Sequence, residues 1–305
     1  MRFPMRFRLT LLSLISLALV VHALDAQQPP SRPKIFDIAV VQIVVSDIQS
    51  AHDFYSKALN KSQIQSPAKT ATASGLPVND TQMVVLTAAD SPLPVNLLRG
   101  ITFATSDVQA LRRYLTFHKL EVSAPDGPDK SLTVVDPEGH RISFVEWNTD
   151  LIKQFNARPA TARLIHAGFV VRDRAAEDKF YKDILGFHVY WHGGMKEGED
   201  NWVDMQVPDG TDWIEYMLRV SPDASHKTLG VMNHIALGVP DIHAAQQQLV
   251  KNGWKSTEEP KIGRDGKWQL NLYDPDETRV ELMEFKPTKE PCCSPYTGPH
   301  PGPAQ

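Results

Sequence analysis

Leu164-Ile-His-Ala-Gly-Phe-Val-Val171 is followed by Arg172-Asp173, then by Phe180-Tyr181 and Leu185-Gly186-Phe187. A mostly apolar run ending at an Asp predicts a strand, then a helix whose first free amides the Asp side chain caps. The same grammar stands earlier in Ile38-Ala-Val-Val-Gln-Ile-Val-Val45, Ser46-Asp47, Phe54-Tyr55 and Leu59, at an offset of 126 between Asp47 and Asp173.

A second pair repeats the theme. Ile101-Thr-Phe-Ala-Thr-Ser-Asp107 leads into a helix ending at His118, and His234-Ile-Ala-Leu-Gly-Val-Pro-Asp241 into one ending at Asn252. Downstream come Asp136-Pro-Glu-Gly-His-Arg-Ile-Ser-Phe-Val-Glu146 and Asp274-Pro-Asp-Glu-Thr-Arg-Val-Glu-Leu-Met-Glu284, each a turn feeding a strand. The 305 residues therefore divide into two modules, 36–148 and 163–286, each holding two strand–helix–strands units. Residues 24–35 and 149–162 read as linkers, and the Pro/Gly-rich stretch 287–305 as a flexible tail.

Three arginines before residue 9, an apolar run from Leu9 to Val21 and small residues at Val21 and Ala23 have the layout of a signal peptide, 1–23, cleaved after Ala23. The expectation is an exported protein, periplasmic or extracellular, with no membrane association after cleavage. Its net charge of −4 and its lack of a long basic block exclude nucleic acid as an expected partner. The two cysteines, Cys292 and Cys293, are adjacent and so cannot staple distant segments or supply a four-thiolate zinc site. In an oxidising compartment they are expected to form a vicinal disulfide or to join two chains, or else to have no chemical role.

Paired βαβββ units that open on an Asp-capped helix with Phe-Tyr and close on Asp-Pro followed by Val-Glu-Leu resemble the vicinal oxygen chelate superfamily. That family includes glyoxalase I, extradiol dioxygenases, fosfomycin-resistance proteins and bleomycin-binding proteins. The resemblance implies an α+β fold in which each module is a cupped mixed sheet with helices outside. It also implies one divalent metal ion (Zn, Ni, Co, Fe or Mn) held by His166, Glu215, His234 and Glu281.

The residues support this set separately. His166 and His234 each stand seven positions before their Asp cap, so the two units place them equivalently. By strand alternation His166 shares a face with Gly168 and Val170, and His234 with Ala236 and Gly238, while Ile165, Phe169, Ile235 and Leu237 point away. Small neighbours leave room for a cavity, and a carboxylate buried there is costly unless paired. In the first module the matching positions are Val40, Gly100 and Ser143, and the run from Ala88 to Leu98 supplies no ligand, so that module is expected to be a metal-free scaffold or lid. His118 and His140 are expected to face solvent.

The resemblance to glyoxalase I implies proton abstraction beside a carbonyl, through an enediolate, with Glu281 or else Glu215 moving the proton. Trp202, Asp204, Tyr216, Arg219, Trp268 and Asn271 are candidate substrate contacts, and Trp191 to Trp202 reads as a mobile loop over the cup. Asn271 stands where extradiol dioxygenases carry Tyr, with Tyr273 out of register and no His between His243 and the Asp-Pro turn, which argues against ring cleavage. The competing reading is an exported protein that sequesters a small molecule or metal chelate without catalysis. One chain holds both units of the second module, so either a monomer or a homodimer suffices.

Overall fold

The computed structural model describes residues 29–60, 67–68, 70–90, 92–123, 131–146 and 162–303. The expected signal peptide, the start of the first linker and nearly all of the second lie outside the described residues.

The first sheet comprises β1 (Ile35–Val45), β2 (Ala73–Pro77), β3 (Met83–Ala88), β4 (Leu98–Thr105), β5 (Ser131–Val135) and β6 (Arg141–Glu146), in the order β2-β3-β1-β4-β6-β5. The second comprises β7 (Arg163–Val170), β8 (His188–Gly193), β9 (Trp202–Gln206), β10 (Trp213–Met217), β11 (His234–Val239), β12 (Lys261–Ile262), β13 (Trp268–Tyr273) and β14 (Arg279–Glu284), in the order β12-β13-β14-β11-β7-β10-β9-β8. In each, two antiparallel central strands are flanked by parallel partners: β3 and β6 beside β1 and β4, β10 and β14 beside β7 and β11.

Helices α1 (Ile48–Ala58), α2 (Val108–Phe117), α3 (Arg174–Glu177, continuing as a π-helix over Asp178–Ile184), α4 (His226–Met232) and α5 (Ile242–Lys251) connect the strands. Asp47, Asp107, Asp173 and Asp241 each accept an amide N–H three residues on, at 2.7–3.0 Å. Such a cap is worth about 1 kcal/mol, which makes these four helix starts a local property of the sequence. No described helix is long and apolar enough to cross a membrane.

The recurring Phe-Tyr and Asp-Pro motifs join one module to the other. Tyr55 of α1 donates to Asp274 of the second module at 3.2 Å, and Tyr181 of α3 donates to Asp136 of the first at 3.0 Å. The acid two residues beyond each Asp completes the exchange: Asp276 accepts from Ser46 N, and Glu138 from Arg172 N and Asp173 N. Phe103 meets Phe187 edge to face at 5.4 Å, and one apolar core runs through both modules. His140, expected at the surface, is instead buried against Phe169, its Nδ1 2.9 Å from Asp136.

Glu177 lies in this junction, fully buried, accepting Glu138 N–H with one oxygen and leaving the other unpartnered. Burial, with Asp136 nearby, pushes its pKa up from 4.5 to about 8. Between those values the folded chain holds a proton that the unfolded chain has released, so this group makes stability fall as pH rises from 4.5 to 8. Glu177→Gln should therefore leave the melting temperature nearly unchanged at pH 4.5 and raise it relative to the parent at pH 8.5. Parallel profiles across that range would refute the assignment.

Candidate metal centre

Register brings the functional side chains together at the middle of the second sheet. Antiparallel pairing sets His234 opposite Gly168 and Ala236 opposite His166. Parallel pairing sets Glu215 opposite Gly168 and Glu281 opposite Ala236. Directly paired residues point to one face, so two histidines and two carboxylates surround two small residues. A Cβ at Gly168 would lie 2.5 Å from His234 Nδ1 and closer still to Cε1. Gly168→Ala should therefore displace the imidazole and reduce metal content well below that of the parent, with the far-UV spectrum unchanged. Equal metal content in the two proteins would show that the ring has room to move.

His166 Nε2 and His234 Nε2 are 3.1 Å apart, and Glu215 Oε2 lies 3.1 Å from the latter. Among the described residues, His166, Glu215 and His234 form a group whose ligand atoms all fall within 4.8 Å of one another. Glu281 Oε2 adds a fourth donor at 3.7 Å from His166 Nε2 and 3.9 Å from His234 Nε2. Met232 O accepts from His234 Nδ1 at 3.1 Å, which leaves the Nε2 lone pair facing the centre, where Arg279 Nη2 donates to it at 2.7 Å.

Burial holds both imidazoles well below their ordinary pKa, so they are neutral and able to ligate at pH 7. Burial raises Glu215 and Glu281 to about 7, against the favourable charge of Arg279. Polar atoms of three residues that line the site stand buried without hydrogen-bond partners: Trp213 Nε1, Asn271 Oδ1 and Arg279 Nε. Folded proteins keep few such atoms, and their concentration at one place fits a site built to hold something more. Two neutral imidazoles and two carboxylates match a divalent ion in charge and ligand type. Because each carboxylate must lose its proton to ligate, metal affinity should climb between pH 6 and 8 and then level off. Competition titration against a chelator would test this, and a flat profile would refute it.

The centre opens into a cavity of about 350 Å³. Trp202, Asp204 and Asn271 line it as expected from the sequence. Three other expected contacts do not reach it. Tyr216 follows Glu215 on the strand, so alternation turns it to the opposite face, against Phe169 and Tyr181. Trp268 likewise faces outward, packed on His243 of α5 at 5.0 Å, while its neighbour Gln269 lines the cavity. Arg219 lies beyond the end of β10, at φ 60°, in a separate surface cleft.

Several residues of the site were not identified from the sequence. Trp191, Trp213, Lys261, Arg264, Asp265, Arg279 and Met283 line the cavity, and Lys267 lies buried beneath it. Arg279 and Met283 flank Glu281 at two-residue spacing, so alternation could have found them. The others depend on cross-strand register. Ile165 also departs from expectation: a β-bulge leaves it without a direct partner and turns it toward Trp213 and Met283. The stretch Trp191 to Trp202 is the end of the β8–β9 hairpin, closed by Asn201 N–H to Gly193 O at 2.8 Å.

The tail expected to be flexible is packed through residue 303. It covers β8, an edge strand of the sheet: His192 N donates to Ser294 Oγ, Thr297 N to Tyr190 O, and Trp191 Nε1 to Cys292 O. Tyr296 stacks on Tyr190 at 4.7 Å. Backbone hydrogen bonds and one aromatic ring suffice to hold a segment of low apolar content against an edge that would otherwise stay unpaired. Cys292 and Cys293 are joined in a vicinal disulfide within it.

In the first module, Val40 pairs with Thr102, Gln42 with Gly100, and Ser143 binds Thr133 at 2.8 Å. Register places the counterpart of Glu215 at Val85 on β3, upstream of the run where a ligand was sought.

Residues 163–282 match the Glyoxalase/Bleomycin resistance protein/Dioxygenase superfamily. A lactoylglutathione lyase of Haemophilus influenzae is 27% identical over 129 residues, which is 42% of this chain and 96% of that protein. Among solved structures, a variant of homoprotocatechuate 2,3-dioxygenase of Brevibacterium fuscum superposes with TM-score 0.61 at 20% identity, covering 83% of this chain and 72% of that one. A complex of that dioxygenase with 3,4-dihydroxyphenylacetate gives 0.59 at 19% identity, covering 87% and 86%. At such identities the structural likeness speaks to fold alone. Residues 163–282 thus resemble the glyoxalase, bleomycin resistance and dioxygenase superfamily, the vicinal oxygen chelate proteins, and the chain shows that fold in two modules.

Proposed function

We propose that the second module is a divalent-metal-dependent, glyoxalase-like lyase or isomerase acting on a small molecule with vicinal oxygens. The observation that carries this reading is the convergence of His166 Nε2, His234 Nε2 and Glu215 Oε2, with Glu281 beside both rings. A divalent ion held by these four residues would supply Lewis acidity to an adjacent pair of substrate oxygens.

The protein's own groups account for the rest. Both carboxylates stand 3.7–3.8 Å from His166, but Glu215 touches His234 at 3.1 Å while Glu281 lies 3.9 Å away, so Glu281 is the one assigned to take a proton from the carbon between the oxygens. A pKa of about 7 suits a group that must both accept and return that proton near neutrality. Arg279 offers N–H donors to negative charge developing on the substrate oxygens, and Asn271 Oδ1 offers an acceptor for a substrate hydroxyl. Trp191, Trp202 and Trp213 give the cavity apolar walls. Export, read from the Arg-rich start and the Leu9–Val21 run, is part of the same proposal; the vicinal disulfide accords with an oxidising compartment.

The test is elemental analysis followed by hydrogen–deuterium exchange, read by NMR, at the α-carbon of α-hydroxy carbonyl compounds in D₂O. The expected result is about one divalent ion per chain, with exchange catalysed by the parent and lowered by about 10²-fold or more in Glu281→Gln. Metal uptake with no exchange for any compound would favour sequestration over catalysis.

A further inference from the structure

The cavity over the metal centre is lined by side chains of both charges. Among its lining residues the acids are the buried ones, Glu281, Asp204 and Asp265 with Glu215 nearly so, while Lys261 of β12 and Arg264 of the turn between β12 and β13 are exposed to solvent. Among the described residues neither cation has a carboxylate within 4.0 Å, although Arg174, Arg163 and Arg219 all do.

Arg264 is held in place by other groups. Its Nε donates to Gly194 O at 3.1 Å and its Nη2 reaches Cys293 Sγ at 3.7 Å, which leaves Nη1 without a protein partner among the described residues. The tail braces the turn: Cys292 N donates to Arg264 O, Thr288 N to Gly266 O, and Tyr296 Oη to Asp265 O. Arg264, so held, and Lys261, both exposed on the lining of a concave site and neither with a carboxylate within 4.0 Å among the described residues, are arranged to meet an anion, since a charge-assisted hydrogen bond is about twice as strong as a neutral one. Trp191 and Trp202 add flat apolar walls, and about 350 Å³ lies at the small end of the range for ligand cavities.

We infer that the substrate is a small organic anion: its vicinal oxygens face the metal centre, and a separate carboxylate or similar group is received by Arg264 and Lys261. This rests on the metal-centre reading above. A neutral substrate of the same shape would leave both cations unpaired, so the charge sets specificity.

The experiment uses the zinc-loaded full chain and two chelating probes of one shape, 3,4-dihydroxybenzoate and 3,4-dihydroxybenzamide, with affinities measured by calorimetry. The benzoate should bind at least about tenfold more tightly, and Arg264→Gln/Lys261→Gln should reduce that preference to about threefold or less at unchanged zinc stoichiometry. Zinc uptake with equal affinity for the two probes, or a preference that survives the double substitution, overturns this inference alone. A chain that takes up no zinc overturns the metal centre, and this inference with it.

Discussion

His166→Ala/Glu281→Ala should contain no divalent metal where the parent contains about one ion per chain, and its affinity should fall by more than about 10³-fold. Four-ligand zinc sites are worth about 10–16 kcal/mol, so losing half the donors removes several kcal/mol. The substitutions should leave the fold intact, because they remove one imidazole and one carboxylate while the remaining pair, His234 and Glu215, stay in contact at 3.1 Å. A second readout is independent of elemental analysis. A ligand at a thousand times its dissociation constant stabilises the folded state by about 4 kcal/mol, so zinc should raise the melting temperature of the parent and not of the variant. Equal metal content and equal shifts in the two proteins would place the ion elsewhere.

Lys267→Met should destabilise the protein by about 3–5 kcal/mol although it nearly conserves side-chain volume. The Lys267 ammonium is completely buried and has no hydrogen-bond acceptor. It lies over the rings of Trp213, Tyr296 and Tyr190, at 4.3, 4.9 and 5.2 Å. Burial pushes its pKa down, while Asp265 at 4.0 Å, with Asp204 beyond, holds the charge in place. Removing the cation leaves buried acids uncompensated, the costly way of breaking an ion pair. Adding Asp265→Asn should therefore recover part of the loss. Urea unfolding of the three proteins would test this, and a single variant within about 1 kcal/mol of the parent would show that the aspartates are neutral without Lys267. The same lysine explains how an acid-rich site can sit next to Trp213, whose ring packs on His166 at 4.9 Å.

Four helix starts, two repeated modules and two equivalent histidines were legible in the sequence because each depends on neighbours a few residues away. Asp caps reach three residues along, and strand alternation tells which side chains share a face. Alternation also contained the answer for Tyr216 and Trp268, whose even positions beside Glu215 and Gln269 point them outward. The Phe-Tyr and Asp-Pro motifs could be counted but their purpose could not. Tyr55 and Asp274 are 219 residues apart, and only packing of the modules makes them partners.

By itself the sequence determined the α+β two-module fold and the equivalence of His166 and His234, consequences of local patterning repeated along the chain, and through the family resemblance it implied the four candidate ligands. Tertiary structure alone decided that the tail closes over β8, that Arg264 and Lys261 stand at the wall of the cavity, and that Lys267 lies beneath it in an aromatic cage. Those positions depend on sheet order and on segments far apart in the chain meeting in space, which no period of two or 3.6 residues records.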